Sequence, residues 1–157
     1  MNRNKKEGRY QRVYDQLARL LEPHANPLAA MATINAVLHN KFDYYFWTGF
    51  YLLHEGDLIV GPYQGPVACI KLKKNSGVCW AGIHRKETVI VPDVHAFPGH
   101  IACDSRSNSE IVVPLKNKSG EIVGVLDVDS TALNSFDETD RAGLEKILEL
   151  VYPNVIK

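Results

Sequence analysis

Three cysteines, Cys69, Cys79 and Cys103, are the residues of this chain best suited to thiol chemistry. No two of them form a CxxC pair, so their spacing does not indicate a zinc ribbon. An odd number of cysteines in a reducing compartment disfavours structural disulfides and leaves metal ligation, thiol catalysis or core packing. A zinc site made by the three cysteines together with His95 or His100 therefore stays open as one interpretation.

The surroundings of the three cysteines differ, and so do their expected roles. Cys69 lies in a stretch that alternates like a strand, where a free cysteine is usually a small buried hydrophobic residue. Cys79 lies near the start of a predicted short helix, where the helix dipole favours a thiolate. Cys103 lies in a long polar loop beside Asp104. Because a loop cysteine adds little to a core, we expect Cys103 to be reactive.

Three acidic residues lie where strands are predicted to begin or end. Asp127 and Asp129 flank Val128, so in a strand their side chains share one face. The pair could bind an ammonium group or a metal ion, or both residues could belong to a turn before Ser130. Glu110 opens the strand that follows the loop, where it could act as an acid or be a solvated strand end.

Hydrophobic periodicity and turn residues predict two helices, three strands, a short helix, three more strands and a final helix. In chain order, these elements occupy 10–21, 27–38, 44–53, 58–60, 67–73, 76–86, 89–91, 110–117, 121–129 and 138–151. Short links between neighbouring strands favour a mainly antiparallel sheet flanked by helices, which is an α+β domain. Residues 1–8 are expected to form a flexible tail, and 93–108 form a long loop of the kind that often carries function.

Two features of these elements bear on the site and on the helix ends. Trp47 and Tyr51 are four positions apart in one predicted strand, so they share a face and are typical of core residues.

Asn26 followed by Pro27 is a favoured helix start, and Asp137 is a favoured cap for the last helix.

Length and charge exclude several classes of protein. The 157 residues suffice for one domain of roughly 150 residues. Lys plus Arg and Asp plus Glu are 18 each, so the net charge is zero, which disfavours nucleic-acid and anionic-membrane binding. No apolar run approaches the roughly 20 residues of a membrane span, and the N-terminus does not read as a secretory signal. The expected compartment is therefore the cytoplasm.

The run FPGHIACD at 97–104, followed by SEIVVPL at 109–115, closely resembles the free methionine-(R)-sulfoxide reductases, which are small single-domain GAF proteins. The resemblance extends to WTGFY at 47–51, GPYQG at 61–65 and GVLDVDS at 124–130, and it covers roughly residues 12–151. Trp80 stands where the family usually has glycine. Since tryptophan does not readily take a positive φ, the backbone around Cys79 is expected to differ from that of the family.

The resemblance implies a single GAF domain over 1–157 and an oxidoreductase that acts on a sulfur group with a disulfide as acceptor, a function tied to oxidative stress. A cysteine thiolate reduces free methionine-(R)-sulfoxide and becomes a sulfenic acid, a second thiol condenses with it to a disulfide, and a thioredoxin-type dithiol resets the enzyme. No bound cofactor or metal is implied. The oligomeric state, including a homodimer, is left open.

The resemblance also assigns roles to individual residues. It implies that Cys103 is the nucleophile and Cys69 the resolving thiol, with Cys79 as the alternative for either role. Glu110 would polarise or protonate the sulfoxide oxygen. Asp127 and Asp129 would bind the ammonium group of the substrate. Trp47 and Tyr51 would form a wall of the pocket.

Two other functions compete with this interpretation. A GAF domain of the same fold could bind a small ligand or sense an oxidant without turnover, and Trp80 favours that alternative. A metal-binding protein would use the cysteines as zinc ligands. The joint presence of three cysteines and the acidic residues favours the reductase.

Overall fold

An antiparallel sheet lies at the centre of the molecule, which a computed structural model describes over residues 1–23, 26–100 and 103–153. Within these ranges the sheet has five strands in the order β2-β1-β5-β4-β3. The strands are β1 (Trp47–His54), β2 (Asp57–Gln64), β3 (Val89–Val91), β4 (Ser109–Lys116) and β5 (Ile122–Ser130). The helices are α1 (Arg3–Leu21), α2 (Pro27–Lys41), α3 (Val78–Arg85) and α4 (Glu138–Leu148). The predicted α+β architecture is confirmed.

The sheet separates two apolar clusters, because side chains alternate between its faces. One face packs against α1, α2 and α4 and receives Ile111, Val113 and Leu115 from β4. The opposite face packs against α3 and receives Val112 from β4 and Val125 from β5. This alternation directs the chemically active residues of β4 and β5 toward the α3 side of the sheet.

Local capping explains where two helices begin. The Asn26 side chain accepts a hydrogen bond from the backbone N–H of Ala29, and Pro27 occupies the first turn of α2. The Asp137 side chain accepts hydrogen bonds from the backbone N–H groups of Thr139 and Asp140 at the start of α4. Both predicted caps are confirmed, and each satisfies N–H groups that have no partner inside the helix.

The predicted tail at residues 1–8 was wrong. Helix α1 already begins at Arg3, with the Asn2 side chain accepting a hydrogen bond from the backbone N–H of Lys5. Lys6 is buried, and its Nζ lies 2.6 Å from Asp140 Oδ2. Its partner is 134 positions away in the chain, so local sequence could not reveal that this segment is anchored.

The predicted strand at 67–73 was also wrong. This segment touches the sheet edge through one bridge between Ile59 and Lys71 and through backbone hydrogen bonds from Val60 to Ile70 and from Leu72 to Leu58. Val67 and Ile70 are 84% and 71% exposed, so their apolar character does not reflect burial. The segment follows the edge strand β2 without joining it as a regular strand.

Asp140 is the centre of a buried polar network between α1, α4 and the segment before β1. Its carboxylate accepts hydrogen bonds from the hydroxyls of Tyr10 and Tyr44 at 2.7 Å and 2.6 Å and from Lys6 Nζ at 2.6 Å. The Tyr10 hydroxyl also lies 2.6 Å from that of Tyr45. A buried ion pair with further hydrogen bonds of this kind is strongly destabilised when one partner is removed.

None of the helices in the described ranges combines the length and the apolar character needed to cross a membrane.

We predict that Asp140→Ala lowers the free energy of unfolding by about 3–5 kcal/mol, because it removes the acceptor of two tyrosine hydroxyls and the nearest anion of a buried ammonium group. Lys6 Nζ would keep only the Ser135 carbonyl and the more distant Asp137 carboxylate. Urea unfolding followed by circular dichroism measures the change. Glu145→Ala is the matched control, since Glu145 is exposed on the same helix and should change stability by less than about 0.5 kcal/mol. A loss below about 1 kcal/mol for Asp140→Ala would show that the network is not a main stabilising contact.

Candidate active site

A cavity of about 260 Å³ lies on the α3 face of the sheet. It is bounded by β1, β4, β5 and the start of α3, and by the irregular segments that carry Cys69 and Cys103. The cavity brings together all the predicted site residues, namely Trp47, Tyr51, Cys69, Cys79, Cys103, Glu110, Asp127 and Asp129. Residues from distant parts of the chain thus line one partly open cavity, whose volume lies just below the roughly 300 Å³ at which pockets for drug-sized ligands begin.

Three carboxyl groups form one wall of this cavity. Glu110 of β4 pairs directly with Asp129 of β5 across the antiparallel ladder, and Asp127 is two positions away on the same face. Glu110 and Asp127 are buried, and Asp129 is half-buried. Asp127 and Asp129 therefore do not belong to a turn, and Glu110 is not a solvated strand end, so both of these alternatives are wrong.

Burial dominates the electrostatics of these carboxyl groups. It is the largest cause of the raised pKa of Glu110, and the charges of Asp127 and Asp129 raise this pKa further. Burial also raises the pKa of Asp129, followed by the charge of Asp127, and it raises the pKa of Asp127 against the hydrogen bonds of Glu110 and Cys79. Asp127 Oδ1 has no hydrogen-bond partner among the described residues. Within the described ranges, the ion-pair contact of this wall is that of His100 Nδ1 with Glu110 Oε1 at 4.0 Å, although Lys71 and Lys73 also line the cavity. An ammonium group could therefore supply the partner that Asp127 Oδ1 lacks.

Cys69 and Cys103 are joined by a disulfide, with their Cα atoms 5.6 Å apart. The structure is thus that of the oxidised protein, and the predicted pairing is present in it. Cys103 is exposed at the cavity mouth, whereas Cys69 is half-buried. The expectation that Cys69 is a buried strand residue was wrong, because its segment is irregular.

Cys79 is the remaining free cysteine, and it is buried. Burial raises the pKa of its thiol well above the ordinary value, and the charges of Asp127, Glu110 and Asp129 raise this pKa further. The expectation that the start of α3 favours a thiolate here was wrong, since desolvation and three carboxyl groups outweigh the helix dipole. Cys79 Sγ and carboxylate oxygens of Glu110 and Asp127 lie within 4.8 Å of one another, and within the described ranges these donors form the group that could hold a metal ion.

Trp80 does not distort the backbone next to Cys79. It lies in the first turn of α3 with a buried side chain, and the positive φ falls instead on Gly77, at 87°. Because Gly77 takes the unusual conformation just before the helix, Trp80 keeps helical geometry. Trp80 therefore needs no positive φ, and the predicted difference from the family backbone around Cys79 stays a prediction.

Stacked aromatic rings form a second wall. The ring centroid of Trp47 lies 5.7 Å from that of Tyr51 and 5.3 Å from that of Tyr63. Trp47 Nε1 donates a hydrogen bond to the carbonyl of Pro66 at 3.0 Å, and the Tyr51 hydroxyl donates one to the carbonyl of Cys69 at 3.1 Å. The aromatic wall therefore also holds the segment that carries one half of the disulfide.

His100 is a cavity residue that the sequence interpretation considered only as a zinc ligand. Its Nδ1 lies 4.0 Å from Glu110 Oε1, and its Nε2 has no hydrogen-bond partner within the part of the chain that the structure describes. Burial, and then the charge of His95, lower the pKa of His100, which favours the neutral ring. The position of His100 in the FPGHIACD run was the sequence signal that could have placed it here.

Comparisons with known proteins agree on a family. The family model described as GAF domain matches residues 32–151. GAF domain-containing protein A of Dictyostelium discoideum is 47% identical over 96% of this chain and 95% of its own length. The free methionine-R-sulfoxide reductase of Escherichia coli is 44% identical over 77% of this chain and 73% of its own length. A solved structure of free methionine-R-sulfoxide reductase from Neisseria meningitidis in complex with its substrate superposes with a TM-score of 0.85 at 41% identity, covering 90% of this chain and 85% of that one.

We predict that the Cys79 thiol of the native oxidised protein reacts slowly with Ellman's reagent at pH 8, because its raised pKa keeps it protonated where an ordinary cysteine begins to ionise. The same protein in concentrated urea should react rapidly and release one equivalent of chromophore. Rapid labelling of the folded protein would show that the thiol is accessible and ionised.

We predict that Glu110→Gln stabilises the protein at pH 7–8 by about 1 kcal/mol. A pKa raised by folding means that the folded state binds more protons than the unfolded one, so this residue's contribution to stability falls as pH rises above about 4.3. Thermal unfolding from pH 4 to pH 8 should give Tm values that converge at low pH and separate at high pH. Glu121→Gln, at an exposed position, is the control, and parallel Tm profiles for wild type and Glu110→Gln would contradict the prediction.

Proposed function

The chain belongs to the GAF domain family, among its free methionine-(R)-sulfoxide reductases, and from this premise we propose that its cavity reduces free methionine-(R)-sulfoxide to methionine. The observation that carries the proposal is the Cys69–Cys103 disulfide, which lies at a cavity walled by carboxyl groups on one side and aromatic rings on the other. A disulfide in this place is the product expected after a cysteine has reduced a bound sulfoxide.

In the proposed reaction, the thiolate of reduced Cys103 attacks the sulfoxide sulfur, and a proton is delivered to the sulfoxide oxygen. Methionine leaves, and Cys103 carries the oxygen as a sulfenic acid. The Cys69 thiol then attacks the sulfur of Cys103 and displaces water, which forms the disulfide. The two thiols thereby supply the two electrons of the reduction.

Glu110 is the proposed acid for the sulfoxide oxygen. Its raised pKa favours a carboxyl group that still holds its proton near neutral pH, as a general acid must. His100 lies beside Glu110, and its lowered pKa disfavours the imidazolium charge that would promote ionisation of this carboxyl group. We assign Glu110 to proton delivery on the geometry and the polarity of this wall.

Asp127 and Asp129 are the proposed partners of the substrate's ammonium group. A cation between them would satisfy Asp127 Oδ1 and offset the burial of the carboxylates. A peptide-bound methionine sulfoxide has no such cation, so the buried carboxyl groups would stay unpaired and binding would be weak. The opposite wall, Trp47 and Tyr51, would contact the apolar part of the substrate, with the indole against the S-methyl group.

We propose that Cys79 stays a protonated thiol at the cavity wall and takes no part in the redox cycle. Its burial and raised pKa oppose nucleophilic attack, and Cys69 already bonds to Cys103. We place Cys79 at the cavity wall beside Asp127, where its S–H can donate a hydrogen bond to that carboxylate. This assignment favours Cys103 and Cys69 over the alternative in which Cys79 takes either redox role.

We further propose that a thioredoxin-type dithiol is the electron donor and that the protein acts in the cytoplasm without a bound cofactor. A homodimer is compatible with the fold. The alternative function, a GAF module that binds a ligand or senses an oxidant without turnover, lacks a reason for a disulfide beside a carboxyl-lined cavity.

NADPH consumption with thioredoxin, thioredoxin reductase and free methionine-(R)-sulfoxide tests the function. We expect Cys103→Ser to lose activity by at least about a hundredfold, because it removes the thiolate that attacks sulfur. Cys79→Ser is the matched control, and it should still release one methionine per reduced protein and form the Cys69–Cys103 disulfide on peptide mapping. Binding of the sulfoxide by the wild type without turnover would favour the sensor, and activity that survives Cys103→Ser would refute the nucleophile.

Asp129→Asn and Asp127→Asn should each lower kcat/KM for free methionine sulfoxide by about ten- to a hundredfold. A charged hydrogen bond contributes about 1.5–3 kcal/mol, and each 1.4 kcal/mol is a factor of about ten. The loss should be small for N-acetylmethionine sulfoxide, which has no ammonium group to lose. Equal losses on both substrates would mean that these carboxylates only support the fold.

A further inference from the structure

The segment beside the disulfide exposes two large apolar side chains. Val67 and Ile70 lie within two positions of Cys69 and are 84% and 71% exposed. Neither is required there by the fold, because the segment is irregular and holds to β2 through backbone hydrogen bonds such as that from Val60 N to the Ile70 carbonyl. Exposed apolar residues around a functional bond are typical of a contact surface for another protein.

Charge adds a second characteristic to this surface. Lys71, Lys73 and Lys74 lie within four positions of Ile70 and are exposed, and no acidic residue occurs in the segment 66–76. Lys71 and Lys73 also border the cavity, so this surface adjoins its rim. An apolar centre with a charged rim is the usual composition of a transient protein interface. The cationic rim is complementary to a partner whose thiols are surrounded by apolar and acidic surface.

From these observations we propose that Val67 and Ile70, with the rim formed by Lys71, Lys73 and Lys74, are the docking surface for the protein dithiol that reduces the Cys69–Cys103 disulfide. The proposal rests on the proposed function, because that function requires a reductant. It adds the surface that the reductant contacts and the sulfur that it attacks.

The surface lies on the Cys69 side of the disulfide, which determines the course of the exchange. The partner's thiolate attacks Cys69 Sγ and forms a mixed disulfide, the bond to Cys103 Sγ breaks, and Cys103 leaves with the electron pair as a thiolate. The partner's second thiol then attacks its own mixed-disulfide sulfur and releases Cys69, which takes up the proton. The partner is left with an intramolecular disulfide, and two electrons have passed to the two cysteines.

Reductant kinetics with thioredoxin and with dithiothreitol test the surface at saturating methionine-(R)-sulfoxide. Ile70→Asp should lower kcat/KM for thioredoxin by about tenfold, as truncation of an apolar interface contact does. The rate supported by dithiothreitol should stay within about twofold of wild type, since this small dithiol needs no docking surface. Leu20→Asp is the matched control at an exposed apolar position on α1, 48% exposed, across the sheet from the cavity, and it should change neither rate.

The outcomes separate this proposal from the proposed function. A thioredoxin kcat/KM within twofold of wild type for Ile70→Asp, or an equal loss with both reductants, would overturn the docking surface. No reduction of the sulfoxide by the wild type with dithiothreitol would refute the function itself. If Ile70→Asp does not fold, Lys74→Glu gives the same comparison. We expect it to lower kcat/KM for thioredoxin but not the rate with dithiothreitol, and an unchanged kcat/KM for thioredoxin would overturn the docking surface.

A trapped complex tests the attacked sulfur. Thioredoxin that lacks its second cysteine should accumulate as a mixed disulfide with Cys69, as identified by peptide mapping. A mixed disulfide with Cys103 would place the partner on the opposite side of the bond and overturn the assignment.

Discussion

The pairing register between β4 and β5 is the constraint on which the site depends. It places Glu110 directly opposite Asp129 and directs Asp127 to the same face. Side chains alternate along a strand. A slip of one residue would therefore move these carboxyl groups to the face packed against α1, α2 and α4, and would move the apolar residues of that face into the cavity. The fully buried Ile111, Leu126 and Val128 on the other face make such a slip costly. The hydrophobic core thus specifies the geometry of the acidic wall.

The two faces of the sheet carry opposite electrostatic arrangements. On the face packed against α1, α2 and α4, Asp140 is buried with the Lys6 ammonium group and two tyrosine hydroxyls as partners. On the α3 face, Glu110 and Asp127 are buried, and in the described part of the chain Asp127 Oδ1 has no hydrogen-bond partner. Breaking the first arrangement would cost stability, and in the second the burial of carboxyl groups without a partner costs stability in the folded protein.

The redox bond and the binding wall are connected through the aromatic residues. The indole N–H of Trp47 and the hydroxyl of Tyr51 hold the backbone at Pro66 and Cys69, while their rings line the cavity. The same side chains therefore shape the space for a substrate and position the segment of one disulfide partner. A change in either ring would alter both the fit of the cavity and the approach of Cys69 to Cys103.

The sequence by itself determined the fold class and the caps at Asn26 and Asp137, because period-two alternation and capping chemistry are local signals. Its resemblance to the free methionine-(R)-sulfoxide reductases indicated eight of the residues that line the cavity, but not His100 or Lys73. Only the tertiary structure decided the state of each group. The pKa of Cys79 depends on desolvation and on three carboxyl groups from other strands, and the anchoring of Lys6 depends on a residue 134 positions away. The segment around Cys69 alternates like a strand, but it lies at the sheet edge with exposed apolar side chains. Burial and long-range pairing are properties of the packed chain, and a local pattern does not contain them.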